Sequence, residues 1–137
     1  IIHPAVVAEQ ERRIQAIFAK DPHAIAMVES ALIFEADRAR TAPGLRSRFD
    51  KLILVMAPEN IRLARYVDRA SNGRTLSPEE RLALEEDGRR RIAMQMKDEE
   101  KVSLCDFVIE NSESVEEVEA HVQKIFGELQ ACTAKHI

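Results

Sequence analysis

The chain has 137 residues, 45% of them hydrophobic and 32% charged, with a net charge of −4. That suits one soluble domain with a core of ordinary size. The negative balance gives no bulk attraction to nucleic acid, no apolar run approaches the ~20 residues of a membrane span, and the start shows no basic-then-apolar leader. A cytoplasmic location is therefore expected, with no nucleic acid and no membrane as partners. Cys105 and Cys132 are too few for a disulfide framework and lack metal-ligand spacing. Cys105, ahead of an apolar run, reads as a small buried hydrophobe. The basic residues are unusual in kind: 14 of the 20 are Arg, and 12 of those lie between Arg38 and Arg91. Arginine's planar fork suits phosphate and carboxylate oxygens. Ile1-Ile2 is apolar and lacks an initiator Met, so the chain is expected to begin inside an element of a longer protein.

In chain order, Pro4 opens a first helix at a position where its missing N–H costs nothing. Val7, Ile14, Ile17 and Phe18 recur at helical spacing to Lys20, and Asp21-Pro22 ends the helix. Residues 24–29 (AIAMVE) read as a buried strand, Leu32 to Glu35 as a turn or short helix, and 36–49 as a loop. The apolar run 51–57 (KLILVMA) suits a strand covered on both faces of a parallel sheet. Pro58-Glu59 opens a helix, with an acid favourable to the helix dipole, that runs to about Arg69. A polar loop follows over 70–76. Ser77-Pro78-Glu79-Glu80 has the form of a capping box and starts a charged helix reaching about Met96. A short helix over 98–104, a strand over 106–110 (DFVIE), a turn at Asn111-Ser112 and a last helix complete the chain. Ser114 and Glu117 have capping-box spacing ahead of that helix. Its apolar stripe is Val115, Val118, Val122, Ile125, Phe126 and Leu129. Alternating helices and strands predict an α/β fold with a parallel sheet of about three strands. The charged segment 70–96 is an excursion from that order and is expected to act as a mobile lid.

Three segments together resemble one family. His3-Pro4 is followed by Val6. Glu29-Ser30-Ala31-Leu32-Ile33-Phe34-Glu35 is similar to an acid-x-Pro-Leu-Leu-Phe-Glu segment. Arg62, Arg65 and Arg69 stand at a Gln-x-x-Arg-x-x-x-Arg spacing, followed by Arg91-Ile92, Gln95, Lys101 and Asp106-Phe107-Val108-Ile109-Glu110-Asn111. The chain resembles the dephospho-coenzyme A kinases, members of the phosphate-loop nucleotide kinases, over essentially its whole length. Ser30, Ala31 and Arg62 depart from the family pattern, and the segment 70–90 is longer than the family's lid. The family's Gly-x-x-x-x-Gly-Lys-Ser/Thr loop, which cradles the phosphates of ATP, is not found. The glycines are Gly44, Gly73, Gly88 and Gly127 alone, and the family's upstream catalytic Asp is also missing.

The resemblance implies a phosphate-loop kinase fold, incomplete in this chain. Residues 1–69 and 97–137 form the core with acceptor-site helices, and 70–96 the lid. It implies transfer of the terminal phosphoryl of Mg-ATP to the ribose 3′-hydroxyl of dephospho-coenzyme A, with ATP and Mg²⁺ bound mainly through the missing loop. The chain alone is then expected to be inactive. Arg91, Arg65 and Arg69 hold family positions for neutralising the phosphoryl group, and Asn111 with the 111–114 turn is implied to contact adenine. His3, Glu29 and Glu35 are implied to face the acceptor. Without the resemblance, Arg91 reads as an i,i+4-type pair with Glu86 or the acids around Glu85, Asn111 as a turn residue, Glu29 and Glu35 as helix-capping acids, and His3 as a cap. Two other readings compete. One is a different nucleotide or nucleoside kinase of the same architecture. The other is a non-catalytic interaction domain that lost the loop, whose exposed sheet edge favours self-association.

Overall fold

Helix α1 starts at Pro4 and runs to Lys20, and its exposed face carries local ion pairs. Glu9 accepts from Arg12 and Arg13 at 2.8 and 2.7 Å, which holds its carboxyl down at about 2. Val7 and Ile14 are half-buried, while Ile17 and Phe18 are exposed. The computed structural model describes residues 4–39, 44, 46–112 and 114–133. Two compact units divide the chain: Ile1–Leu52 with Val115–Ile137, and Ile53–Ser114.

In the first unit, α1 is followed by helix α2 (Ile33–Arg38), a 3₁₀ turn over Arg46–Arg48, and, at the chain's other end, helix α6 (Val115–Thr133). Ala36 of α2 and Ile125 of α6 are buried. The stripe expected on α6 is only partly covered: Val118 and Leu129 are half-buried, whereas Val115, Val122 and Phe126 are exposed. Residues 24–29 do not form the expected strand. Met27 is 74% exposed and Glu29 also faces solvent. An apolar run becomes a strand only where a neighbour takes up its backbone N–H and C=O groups. Among the described residues, the sheet contains just two strands, neither of them here.

The second unit holds those strands, β1 (Ile53–Met56) and β2 (Phe107–Glu110). They pair in parallel, with Ile53 opposite Phe107 and Met56 opposite Glu110. The direction matches the sequence expectation, and the strand count is one lower. Ala57, just after β1, and Ile109 of β2 are buried. Three helices lie between the strands: α3 (Glu59–Ser71), α4 (Pro78–Ala93) and α5 (Asp98–Val102). α5 packs on β1, and α4 packs along α3.

Local chemistry sets the ends of these helices. The N–H groups of Ile61 and Arg62 donate to the Pro58 carbonyl at 3.0 Å. Asn72 closes α3 in the left-handed region (φ 51°), and Gly73 follows at φ 75°, so two residues tolerant of positive φ reverse the chain. The capping box at Ser77 is formed in full. Ser77 Oγ accepts from the Glu80 N–H at 3.2 Å, and Glu80 Oε2 accepts from the Ser77 N–H at 2.8 Å.

Candidate functional site

Helix α3 presents a stripe of Arg62, Arg65, Tyr66 and Arg69, at the i, i+3, i+4, i+7 spacing that places side chains on one face. Leu63, Val67 and Ser71 turn toward covered surface, Val67 and Ser71 being buried. Three of the four stripe residues reach other elements of the same unit.

Arg62 donates from Nη1 to Asp98 Oδ2 and from Nη2 to Gln95 Oε1, both at 3.0 Å. The Arg62 and Asp98 side chains are 27% and 20% exposed, so this pair is better shielded than the helix-surface pairs. It ties α3 to the α4–α5 connection. Arg65 donates from Nη1 to the backbone carbonyl of Asn111 at 2.9 Å. Asn111 also donates its N–H to the Met56 carbonyl at 2.7 Å, carrying the parallel ladder one residue past β2. Asn111 is thus held on both backbone sides, by β1 and by α3, at the carboxyl end of the sheet. In open α/β sheets that end is where ligands bind.

The third contact joins α3 to α4. Tyr66 OH donates to Asp87 Oδ2, and Arg91 donates from Nε to the same oxygen at 2.7 Å. The Arg91 guanidinium carbon lies 5.7 Å from the Tyr66 ring centroid, within cation–π range. The Tyr66 hydroxyl and the Arg91 guanidinium hold the Asp87 carboxyl below its ordinary value. Asp87 in turn raises the Tyr66 phenol and the Arg91 guanidinium. Gly88 makes the close approach possible. A Cβ there would stand 2.6 Å from Leu63 Cδ1 and 3.0 Å from Tyr66 Cδ1.

The dephospho-CoA kinase family model matches residues 1–117. The dephospho-CoA kinase of Mesorhizobium japonicum is 35% identical over 133 residues, 95% of this chain and 56% of the relative. That of Aquifex aeolicus is 38% identical over 86 residues, 63% of this chain and 38% of the relative. That of Aromatoleum aromaticum is 31% identical over 125 residues, 91% of this chain and 51% of the relative. This chain belongs to the dephospho-CoA kinase family. It spans about half the length of the curated relatives it matches. No solved structure matches it at a significant level.

Against the family's pattern, the residues expected at the site fall into distinct places. Arg65 and Asn111 meet directly. Arg91 is on α4 with its guanidinium at Tyr66 and Asp87; its acidic partner is Asp87, not Glu86 or Glu85. Glu85 pairs instead with Arg81 and Arg89, at 3.6 and 3.4 Å. Arg69 is exposed in the last turn of α3, and its side chain makes no ion pair among the described residues. Glu35 is half-buried in the first turn of α2, and Glu29 is exposed ahead of it; both are in the other unit. His3 lies outside the described residues. Cys105 is half-buried, and Met94, adjacent to the end of α4, is 84% exposed.

Tyr66 and Asp87 were not singled out by the sequence reading. Asp87 could have been, because it stands four residues before Arg91 on a helix. Tyr66 offered no comparable signal, since its contact spans 21 residues and depends on the turn at Asn72-Gly73. No group of three or more His, Cys, Asp or Glu among the described residues is arranged to hold a metal ion. What the arginines of this unit offer a phosphate is cationic. No helix among the described residues is long and apolar enough to cross a membrane.

Proposed function

We propose that this chain forms part of an enzyme that transfers the terminal phosphoryl group of ATP to the ribose 3′-hydroxyl of dephospho-coenzyme A. The observation that carries the reading is the meeting of Arg65 and Asn111 at the carboxyl end of a parallel strand pair, in a chain whose first 117 residues match this family. Phosphoryl transfer depends on positioning and on neutralising charge over the equatorial oxygens. Arg91 and Arg69 suit that neutralisation because a guanidinium stays charged and binds oxygens in pairs. Arg65 was expected beside them. Its bond to the Asn111 carbonyl supports a different duty: fixing the turn that takes the adenine of ATP. Glu29, Glu35 and His3 are assigned to the acceptor side. Residues 70–96 serve as the lid over a phosphate-loop core made of 1–69 and 97–137. Mg²⁺ neutralises phosphate charge in such transfers, and no ligand for it is assigned among the described residues.

The phosphate-loop motif does not occur in these 137 residues, so the isolated chain is expected neither to bind ATP nor to turn over. The test is coenzyme A formation from dephospho-coenzyme A and ATP by the full-length gene product, beside its Arg91→Ala variant. Turnover that falls at least tenfold in the variant supports the reading. No coenzyme A formation by the unsubstituted protein would overturn it, and full activity in the variant would remove Arg91 from the mechanism. Micromolar ATP binding by the 137-residue chain in calorimetry would contradict the assignment of phosphate binding to the loop.

A further inference from the structure

The ion pairs along α4 are not alike. Arg89–Glu85, Arg81–Glu85 and Arg90–Asp87 span 3.4 to 3.6 Å on an exposed helix face, and pairs of that kind contribute little. Arg91 is held differently. Its Nε donates to Asp87 Oδ2 at 2.7 Å, its guanidinium carbon stands 5.7 Å from the Tyr66 ring centroid, and the Tyr66 hydroxyl donates to the same Asp87 oxygen. One of these three residues comes from α3. The seam beneath them is shaped for the arrangement, because Gly88 leaves room for the Tyr66 ring that any side chain would crowd.

We infer that Tyr66 and Asp87 are positioning residues for Arg91, fixing its guanidinium through the Nε edge while its terminal nitrogens remain for a phosphoryl group. This rests on the kinase reading of Arg91 given above. A long exposed arginine has many rotamers, and capturing an anion with it costs the entropy of choosing one. A carboxylate at Nε and an aromatic ring at the guanidinium face make that choice before the anion arrives. The cost is partial neutralisation of the Arg91 charge by Asp87. Orientation outweighs it, because a guanidinium engaged at Nε keeps the donor pair at its far end that matches two phosphate oxygens.

The experiment is a double-mutant cycle on the full-length gene product, measuring kcat and KM for ATP and dephospho-coenzyme A, with thermal unfolding of each variant. Tyr66→Phe keeps the ring and its packing while removing the hydroxyl, and Asp87→Asn removes the charge. Each is expected to lower kcat by about three- to thirtyfold, with KM values within about twofold. In an Arg91→Ala background, each is expected to change kcat by less than about twofold, because a residue acting through Arg91 has nothing left to orient. A substitution that only loosened the α3–α4 seam would lower kcat equally in both backgrounds. That additive result, an unchanged kcat, or a rise in kcat would overturn the inference. If Asp87→Asn fails to fold, the Tyr66→Phe arm decides alone. Full activity in Arg91→Ala, or no turnover by the unsubstituted protein, would instead sink the kinase reading on which the inference rests.

Discussion

Arg65 Nη1 donates to the carbonyl oxygen of Asn111 at 2.9 Å, joining residues 46 positions apart in the chain. With the Asn111 N–H committed to Met56, both backbone polar groups of this residue are engaged by scaffold. Replacing Arg65 with Met should free the turn without disturbing the ladder. The expected outcome is a rise of about three- to tenfold in KM for ATP with a smaller change in kcat, read by steady-state kinetics on the full-length gene product. A fall in kcat at constant KM would assign Arg65 to the phosphoryl group instead.

Tyr66 is the chain's one tyrosine, and there is no tryptophan, so ultraviolet titration of the phenol reports one residue. Asp87 raises the Tyr66 phenol through their hydrogen bond, and that bond together with Arg91 lowers the Asp87 carboxyl. The two shifts act at opposite ends of the pH scale. For Asp87, whose folded value is depressed, the stabilisation is present above the ordinary Asp value near 3.9 and is lost as pH falls through the folded value. For Tyr66, whose folded value is raised, it is present below about 10 and is lost as pH rises through the folded value. Asp87→Asn should therefore bring the phenol titration down toward its ordinary position and flatten the acid limb of the stability profile. A phenol midpoint unchanged by Asp87→Asn would contradict the shared hydrogen bond.

Gly88 tests the packing beneath that cluster. In Gly88→Ala, the added methyl meets Leu63 Cδ1, the mobile end of a side chain, and the edge of the Tyr66 ring. The helix gains about 1 kcal/mol from alanine, which offsets the crowding. Gly88→Leu has no such relief and should cost roughly 2–3 kcal/mol. Urea unfolding followed by circular dichroism would separate the two. Equal stability of the leucine variant and the parent would mean that α3 and α4 do not approach closely at this point.

Arg62 and Asp98 form an ion pair between α3 and α5 whose side chains are 27% and 20% exposed. A double-mutant cycle with Arg62→Ala and Asp98→Ala should give a coupling of about 0.5–1 kcal/mol, falling as salt is raised. Coupling indistinguishable from zero at low salt would show that the contact is not maintained in solution.

Much of this architecture is written in local sequence. Pro4, the Ser77 box and the apolar runs around 53–56 and 107–110 locate four helix or strand starts, and the helices between the two strands favour their parallel pairing. Residues 24–29 show where such reading stops. Their composition is that of a strand, but composition states only that a segment can be covered, while a strand also needs a neighbour in register. The site was legible in proportion to how local it is. The arginines of α3 follow from helical spacing, and Asp87 was within reach of the same arithmetic. The contact of Tyr66 with Asp87 was not, because it depends on how sharply the chain reverses after Ser71.

That reversal has a consequence of its own. Arg74 and its neighbours are exposed just after the left-handed pair Asn72-Gly73, and a protruding tip rich in small polar residues is where proteases cut first. The contacts that bind α3 to α4 are made well away from it, at Leu63, Tyr66, Asp87 and Gly88. A trypsin nick at Arg74 would sever the covalent link without touching the surfaces that recognise one another, so the two fragments should stay associated as a split hairpin.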